Sequence, residues 1–98
     1  MIKFPAYWSD KLKIDYLQRV ILVNSYLYYE CNTNKLSDRA YDNISKQLVE
    51  LQSKHIKPWI RSKTQYGYVF YNYDGSTGFD LYDRLNVQDK AYIRQLAL

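Results

Sequence analysis

Five side chains of types that bind polar or cationic ligands lie in two short segments of the chain. Asp38, Tyr41 and Asp42 stand at positions i, i+3 and i+4, which share one face of a helix. Tyr28 and Tyr29 precede them across a short connection. Carboxylates accept hydrogen bonds from hydroxyl groups, and an aromatic face attracts a cation. The pattern therefore predicts a binding site built from aromatic and acidic groups.

The same residues also have a purely structural explanation. Asp38 can complement the dipole of a helix that begins beside it. Asp42 can pair with Lys46 at i+4, which is worth about 0.3–0.5 kcal/mol. Tyr41 can belong partly to the core. A site, retained or repurposed, and maintenance of the fold both remain open at this point.

Two predicted helices position these side chains. Ser9 is a suitable N-cap for the first, which is expected to end near Glu30. Its apolar residues recur at spacings of three and four: Leu12, Tyr16, Val20, Val23 and Leu27. Three more apolar residues widen this stripe: Ile14, Leu17 and Ile21. Ser37 caps the second helix, which Pro58 prevents from continuing. Its core positions are Tyr41, Ile44, Leu48 and Leu51. The short link predicts an antiparallel hairpin.

The second half of the chain has a different pattern. Residues 66–73 (YGYVFYNY) are rich in aromatics and predict a strand, followed by a glycine-containing turn. Phe79 to Tyr82 fits either a strand or a helical turn. Asn86 is a suitable cap for a last helix, whose apolar positions are Ala91, Ile93 and Leu96. The expected fold is mainly α (α+β) in one domain, 1–98, with the hairpin over 9–56 and a strand/turn/helix extension over 57–98.

The segment Asn24 to Leu51, NSYLYYECNTNKLSDRAYDNISKQLVEL, resembles the N-terminal Ia domain of NAD-dependent bacterial DNA ligases. That family's pattern is a helix ending in Y-x-Y-[YH], a short loop, and [SP]-D-x-x-Y-D-x-L opening a second helix. In the ligases the domain closes over the nicotinamide mononucleotide half of NAD. Carried over by position, the resemblance implies these nucleotide-binding residues: Tyr28, Tyr29, Asp38, Tyr41 and Asp42.

The chain departs from the ligases where their chemistry takes place. Their nucleophile lies in a Lys-x-Asp-Gly motif, and the nearest string here is Asn72-Tyr73-Asp74-Gly75. An amide cannot form the phosphoramidate, and 98 residues are too few for the catalytic domain. We expect no enzyme activity and no required cofactor. The expected ligand is nicotinamide mononucleotide, NAD or an ADP-ribose derivative.

The part after Pro58 resembles tails of small phage and prophage proteins. A phage protein of this kind could act in the host cytoplasm as a sponge for an NAD-derived immune signal. The alternative is a protein-interaction module on an Ia-like scaffold, such as a viral inhibitor of a CRISPR-type host defence nuclease. On the predicted strand, Val69, Tyr71 and Tyr73 share one face, and Val69 favours burial of that face. This leaves Tyr66 and Tyr68 outside to anchor a host protein.

Composition limits the other functions. The chain has 47% apolar and 17% aromatic residues, which excludes disorder, and no membrane-length apolar run or secretory signal, so a cytoplasmic protein is expected. One histidine and one cysteine predict no metal site, and Cys31 is expected to be a small apolar filler.

The net charge is +4, and no acid lies between Glu50 and Asp74. The basic residues from Lys54 to Lys63 leave nucleic acid as a weaker third alternative. The oligomeric state is left open.

Overall fold

The computed structural model describes residues 2–33, 36–75 and 80–97. Five α-helices follow one another: α1 (Asp10–Glu30), α2 (Asp38–Gln52), α3 (Lys57–Lys63), α4 (Gly67–Phe70) and α5 (Val87–Ala97). A short 3₁₀ turn, Tyr82–Arg84, precedes α5. No strand occurs within these described ranges. The prediction of a mainly α fold is confirmed.

The helical hairpin forms as its caps predict. The Ser9 Oγ accepts a hydrogen bond from the backbone N–H of Leu12 at 3.2 Å, and the Ser37 Oγ accepts one from Ala40 at 3.1 Å. Gln18 of α1 donates to the side-chain oxygen of Gln52, the last residue of α2, at 3.1 Å. The start of α1 therefore lies beside the end of α2, so the two helices are antiparallel.

The buried face of α1 is offset from the predicted one. Ile14, Leu17 and Ile21, expected only to widen the stripe, are fully buried, whereas Leu12 is 48% exposed. Tyr16, Val20 and Val23 are half-buried. Both α2 and α5 pack on α1, so the covered surface lies between two partners and extends to polar positions. The four buried polar side chains of α1 are Asp15, Gln18, Asn24 and Ser25.

The predicted strand over residues 66–73 is wrong, because the segment contains the short helix α4. The buried core residues of the segment recur at helical spacing: Tyr66, Val69 and Phe70. Pro58 lies in the first turn of α3, where a missing N–H costs nothing. Aromatic and β-branched residues favour strands in general, but here tertiary packing decides.

A close approach between α3 and α4 explains Gly67. A β-carbon at that position would lie 1.9 Å from the backbone oxygen of Ile60 and 2.6 Å from the Oγ1 of Thr64. Only glycine lets the two short helices meet at this distance. The pair forms one compact corner that covers the hairpin.

The last helix follows the prediction in outline. The Asn86 Oδ1 accepts a hydrogen bond from the backbone N–H of Asp89 at 2.8 Å, as an N-cap should. Ile93 is buried, while Leu96 is 43% exposed. Phe79 and most of the predicted turn lie outside the described residues. Tyr82 lies in a 3₁₀ turn, which favours the helical alternative at that end of the segment.

Candidate functional site

The predicted tyrosine pair lies on the surface in the last turn of α1. Tyr28 and Tyr29 are 46% and 54% exposed, and their rings meet edge to face with centroids 5.7 Å apart. Helix α1 continues without interruption to Glu30, so the pair is held by regular backbone geometry. Two aromatic rings are thus presented at one end of the hairpin.

The two carboxylates lie in the first two turns of α2. Asp38 and Asp42 are both exposed. Within the described part of the chain, neither one forms an ion pair, so the expected pairing of Asp42 with Lys46 is absent. Their charges face solvent beside the positive end of the α2 dipole. Both carboxylates can accept hydrogen bonds from a ligand.

Tyr41 connects the surface of the site to the core. Its ring is half-buried and packs against the core cluster. Burial raises the pKa of the Tyr41 phenol, and the neighbouring Tyr73 and the Asp42 charge raise it further. Tyr73 in turn donates a hydrogen bond to the Ser45 Oγ at 3.1 Å, and burial raises the pKa of its phenol as well. The Tyr41 hydroxyl is itself buried beside Tyr73 and Ser45, so Tyr41 supports the start of α2 from the core side.

The predicted residues lie at two helix termini: Tyr28 and Tyr29 in the last turn of α1, and Asp38, Tyr41 and Asp42 in the first two turns of α2. The α1–α2 connection brings the end of α1 next to the start of α2. We name this region the connection end and define it by Tyr28, Tyr29, Asp38, Tyr41 and Asp42. The rings of Tyr28 and Tyr29 contact each other, and the Asp42 charge helps to raise the pKa of the Tyr41 phenol. The arrangement offers two exposed rings and two exposed carboxylates, and Tyr41 packs against the core.

Sequence reasoning missed the residues that support Tyr41. Tyr73 was assigned to a strand face, and Ser45 was not considered. Ser45 lies four residues after Tyr41 on α2, so the helical spacing could have shown that the two share a face. Tyr73 could not be found in this way, because its approach to α2 depends on the fold of the extension.

Three of the grooves formed by the described residues run along α2, and none of the five predicted residues lines these three. One of 220 Å³ lies between the N-terminal segment and α2, beside Phe4 and Lys54. Another of 360 Å³ includes Lys46, Glu50 and Asp74. A third of 440 Å³ continues from it toward α3 and α4 and is lined in part by Tyr73. Tyr73 thus contacts the connection end and lines a groove.

The predicted partner surface at Tyr66 and Tyr68 is contradicted by the structure. Tyr66 is fully buried, and burial raises the pKa of its phenol to about 12. Tyr68 is half-buried, and its hydroxyl donates to Asp89 Oδ2 at 2.5 Å and accepts from the backbone N–H of Asn86 at 3.2 Å. The strand geometry that placed both rings outside does not exist, so these residues are not a pair of exposed anchors.

The basic stretch from Lys54 to Lys63 is exposed, but its aromatic residue is already engaged. Trp59 stacks on His55, with ring centroids 4.1 Å apart, and the His55 Nε2 lies 3.1 Å from the Asp10 Oδ2. Arg61 lies over the ring of Tyr71. A base would have to displace these contacts in order to stack on Trp59. The weaker nucleic-acid alternative gains nothing from this geometry.

Other classes of site find little support among the described residues. No group of three His, Cys, Asp or Glu side chains gathers there as a metal site would require. Cys31 is exposed, so its prediction as a buried filler is wrong. No helix in the described ranges has the length and apolar character needed to span a membrane.

Two DNA ligases contain a segment similar to part of this chain. The ligase of Endomicrobium trichonymphae is 37% identical over 43 residues, which is 44% of this chain and 6% of the ligase. The ligase of Buchnera aphidicola subsp. Acyrthosiphon pisum (strain 5A) is 40% identical over 47 residues, which is 48% of this chain and 7% of the ligase. The chain thus spans less than a tenth of these curated relatives. No family model and no solved structure matches it.

Proposed function

We propose that this protein binds an NAD-related nucleotide at the connection end and does not catalyse a reaction on it. The observation that carries the proposal is the pair of exposed α2 carboxylates, Asp38 and Asp42, without ion-pair partners in the described part of the chain. The partial similarity to two DNA ligases supports the same conclusion.

The chemistry of the connection end suits the nicotinamide mononucleotide half of NAD. The positively charged nicotinamide ring is attracted to an aromatic face, which Tyr28 and Tyr29 present. Ribose hydroxyls donate to carboxylates such as Asp38 and Asp42. Tyr41, whose ring packs against the core and whose hydroxyl is buried, supports the segment of α2 that carries both carboxylates.

The absence of catalysis is part of the proposal. Asn72 takes the place of the lysine in the nearest string to the ligase nucleophile motif, and its amide cannot attack a phosphate. A protein that binds an NAD-related nucleotide without turning it over can store, sequester or sense it. In a phage, sequestering an NAD-derived immune signal would be a coherent use of this property.

Calorimetric titration and thermal unfolding with nicotinamide mononucleotide, NAD and ADP-ribose test the proposal. A ligand at 100 times its dissociation constant should stabilise the folded state by about 2.7 kcal/mol. The double variant Asp38→Asn, Asp42→Asn should lose this stabilisation while it keeps the unfolding temperature of the ligand-free protein, because both carboxylates are exposed.

The double variant Asp80→Asn, Asp83→Asn is a matched control. It removes the same charge from exposed positions outside the connection end and should keep the ligand response; because it also breaks the Asp80–Arg84 ion pair, its unfolding temperature without ligand is measured as well. If none of the three nucleotides at millimolar concentration stabilises the wild-type protein, the proposed function is wrong.

A further inference from the structure

The outer face of α5 carries no charged residue. A helix at a protein surface usually turns its charged side chains to solvent and its apolar side chains to the core. The buried residues of α5 are Ile93 and Ala97. With 3.6 residues per turn, about half of the helix surface lies opposite them. The exposed residues on that half, which we name the uncharged face, are Val87, Gln88, Ala91, Tyr92, Gln95 and Leu96.

The charged residues of α5 lie beside or behind this face and contact the rest of the chain. Asp89 accepts a hydrogen bond from the Tyr68 hydroxyl. Lys90 is half-buried, with its Nζ 5.8 Å from the centroid of the Tyr82 ring. Arg94 is exposed at the edge of the uncharged face, and its Nη1 donates to the Tyr82 hydroxyl at 2.7 Å. The charges therefore interact within the fold, and the outer face is left neutral.

The large residues of the uncharged face expose apolar surface. Val87 is 81% exposed, Tyr92 is 42% exposed and Leu96 is 43% exposed. Tyr92 and Leu96 stand at positions i and i+4, so their side chains are neighbours on the helix. Single exposed apolar residues are common, but several on one face of one helix are typical of an interaction site. Covering this face would bury apolar surface without removing any charge from water.

Charge indicates a second copy of this chain as the partner. The net charge is +4, so two copies repel each other at long range. The exposed faces of other helices carry charges, such as Lys11 on α1 and Lys57 on α3. In a contact with twofold symmetry the same patch meets itself, so charges near the axis would face their own copies. The uncharged face of α5 brings no like charges together.

We propose that α5 mediates self-association of this chain, with the uncharged faces of two copies packed antiparallel about a twofold axis. The middle of the face lies at Ala91 and Tyr92. Gln88 precedes this middle by three residues and Gln95 follows it by three, so antiparallel packing places Gln88 of each copy opposite Gln95 of the other. Each amide has donors and an acceptor, so the pair can hydrogen-bond in both directions. The small side chain of Ala91 permits a close approach of the two helices.

The contact is small, which limits the expected affinity. A helix of 11 residues is about 16 Å long, whereas a stable interface buries about 800 Å² on each partner. We therefore expect a weak and reversible dimer, with a dissociation constant above about 1 μM. The fraction of dimer should rise with protein concentration.

Sedimentation equilibrium of the full chain at about 0.01–1 mM tests the inference. We expect the mean mass to rise with concentration from 11.8 kDa toward twice that value. Ala91→Glu should abolish the rise, because it puts two like charges beside the twofold axis. Ala91 is exposed and glutamate is favourable in a helix, so the variant should stay folded. Ala6→Glu, the same substitution at an exposed position outside α5, is the matched control and should associate like the wild type.

A mixture of two variants tests the symmetry of the contact. Ala91→Glu and Ala91→Lys should each remain monomeric alone, because like charges meet beside the axis. An equimolar mixture of the two should associate at least as strongly as the wild type, because opposite charges then meet there.

The inference is overturned if the wild-type protein stays at 11.8 kDa throughout the concentration range, or if Ala91→Glu associates as strongly as the wild type. It is also overturned if the mixture stays monomeric, because the two copies then do not meet at Ala91. Loss of association in Ala6→Glu as complete as in Ala91→Glu would show that net charge controls association and would overturn it as well. Nucleotide binding does not enter this test, so the inference stands or falls independently of the proposed function.

Discussion

The two ends of the α1–α2 hairpin use their polar residues in opposite ways. At the end opposite the connection, Asp10 contacts His55, Gln18 donates to Gln52, and Asp15 accepts from both Lys11 and the backbone N–H of Gln65. At the connection end, Asp38 and Asp42 are exposed and form no ion pair in the described part of the chain.

The difference has an energetic meaning. Buried polar groups with partners hold helices in register, and the loss of one partner leaves another group unsatisfied at a cost of about 1–3 kcal/mol. Exposed carboxylates without partners contribute little to folding and remain able to bind a ligand. The polar residues opposite the connection stabilise the fold, and the exposed carboxylates Asp38 and Asp42 remain accessible to a ligand.

The largest change in the free energy of unfolding is expected in the extension, where it packs on the end of the hairpin opposite the connection. Tyr66 is fully buried next to Thr64 and Gln65, which bond to α1. Tyr66→Ala should lower the free energy of unfolding by about 3–5 kcal/mol, because a large buried ring is lost and a cavity is left. Urea unfolding measures this change.

Tyr7, which is 85% exposed, provides the control for this prediction. Tyr7→Ala should change the free energy of unfolding by no more than about 0.5 kcal/mol. If Tyr66→Ala is as mild as Tyr7→Ala, the buried position of Tyr66 is wrong and an exposed anchor becomes tenable again.

A smaller loss in the free energy of unfolding is expected from a substitution at Asp15. Its side chain is 9% exposed, with one oxygen 2.8 Å from the Lys11 Nζ and the other accepting from the Gln65 N–H at 3.0 Å. Asp15→Ala removes the carboxylate that binds Lys11 and Gln65, so the Gln65 N–H loses its acceptor. We expect a loss of about 1–3 kcal/mol in urea unfolding. A loss below that range would mean that α1 does not hold the start of the extension.

The extension should also respond to alkaline pH. Burial raises the pKa of both Tyr66 and Tyr68 to about 12, and the hydrogen bond from Tyr68 to Asp89 adds to the effect. The folded chain therefore holds these protons more tightly than the unfolded chain, whose phenols titrate near 10. The stabilisation is complete below about pH 10 and is lost as the pH rises to about 12.

Unfolding free energies measured from pH 9 to 12 test this expectation, with Tyr68→Phe as the comparison. The variant has one fewer buried phenol to ionise, so its stability should fall less steeply across that interval. Equal slopes for the two proteins would contradict the assigned role of Tyr68.

The hairpin was predictable from sequence because its determinants are local. Ser9 and Ser37 cap their helices through side chains three residues from the bonded N–H groups, and the order of the candidate residues follows from helical spacing. The burial of Gln18 was not predictable, because its partners Gln52 and Thr64 are brought to it by distant parts of the chain.

The extension shows where local patterns mislead. Residues 66–73 fit a strand by composition, but they also fit a helix by the spacing of their buried members. The close contact at Gly67 with Ile60 is a tertiary feature that composition does not show. Tyr73, the support of Tyr41, was missed for the same reason.

The smallest effect on stability is expected at Asp42, and it tests the comparison most directly. Asp15 and Asp42 are both acids on the hairpin helices with a lysine four residues away, but only Asp15 is buried and paired. Asp42→Ala should therefore change the free energy of unfolding by no more than about 0.5 kcal/mol, at low and at high salt. A structural pair with Lys46 would instead give a loss at low salt that disappears at high salt, because salt screens exposed ion pairs. A loss as large as that of Asp15→Ala would show that Asp42 stabilises the fold. A neutral change in stability together with loss of nucleotide binding would show that the connection end is reserved for the ligand.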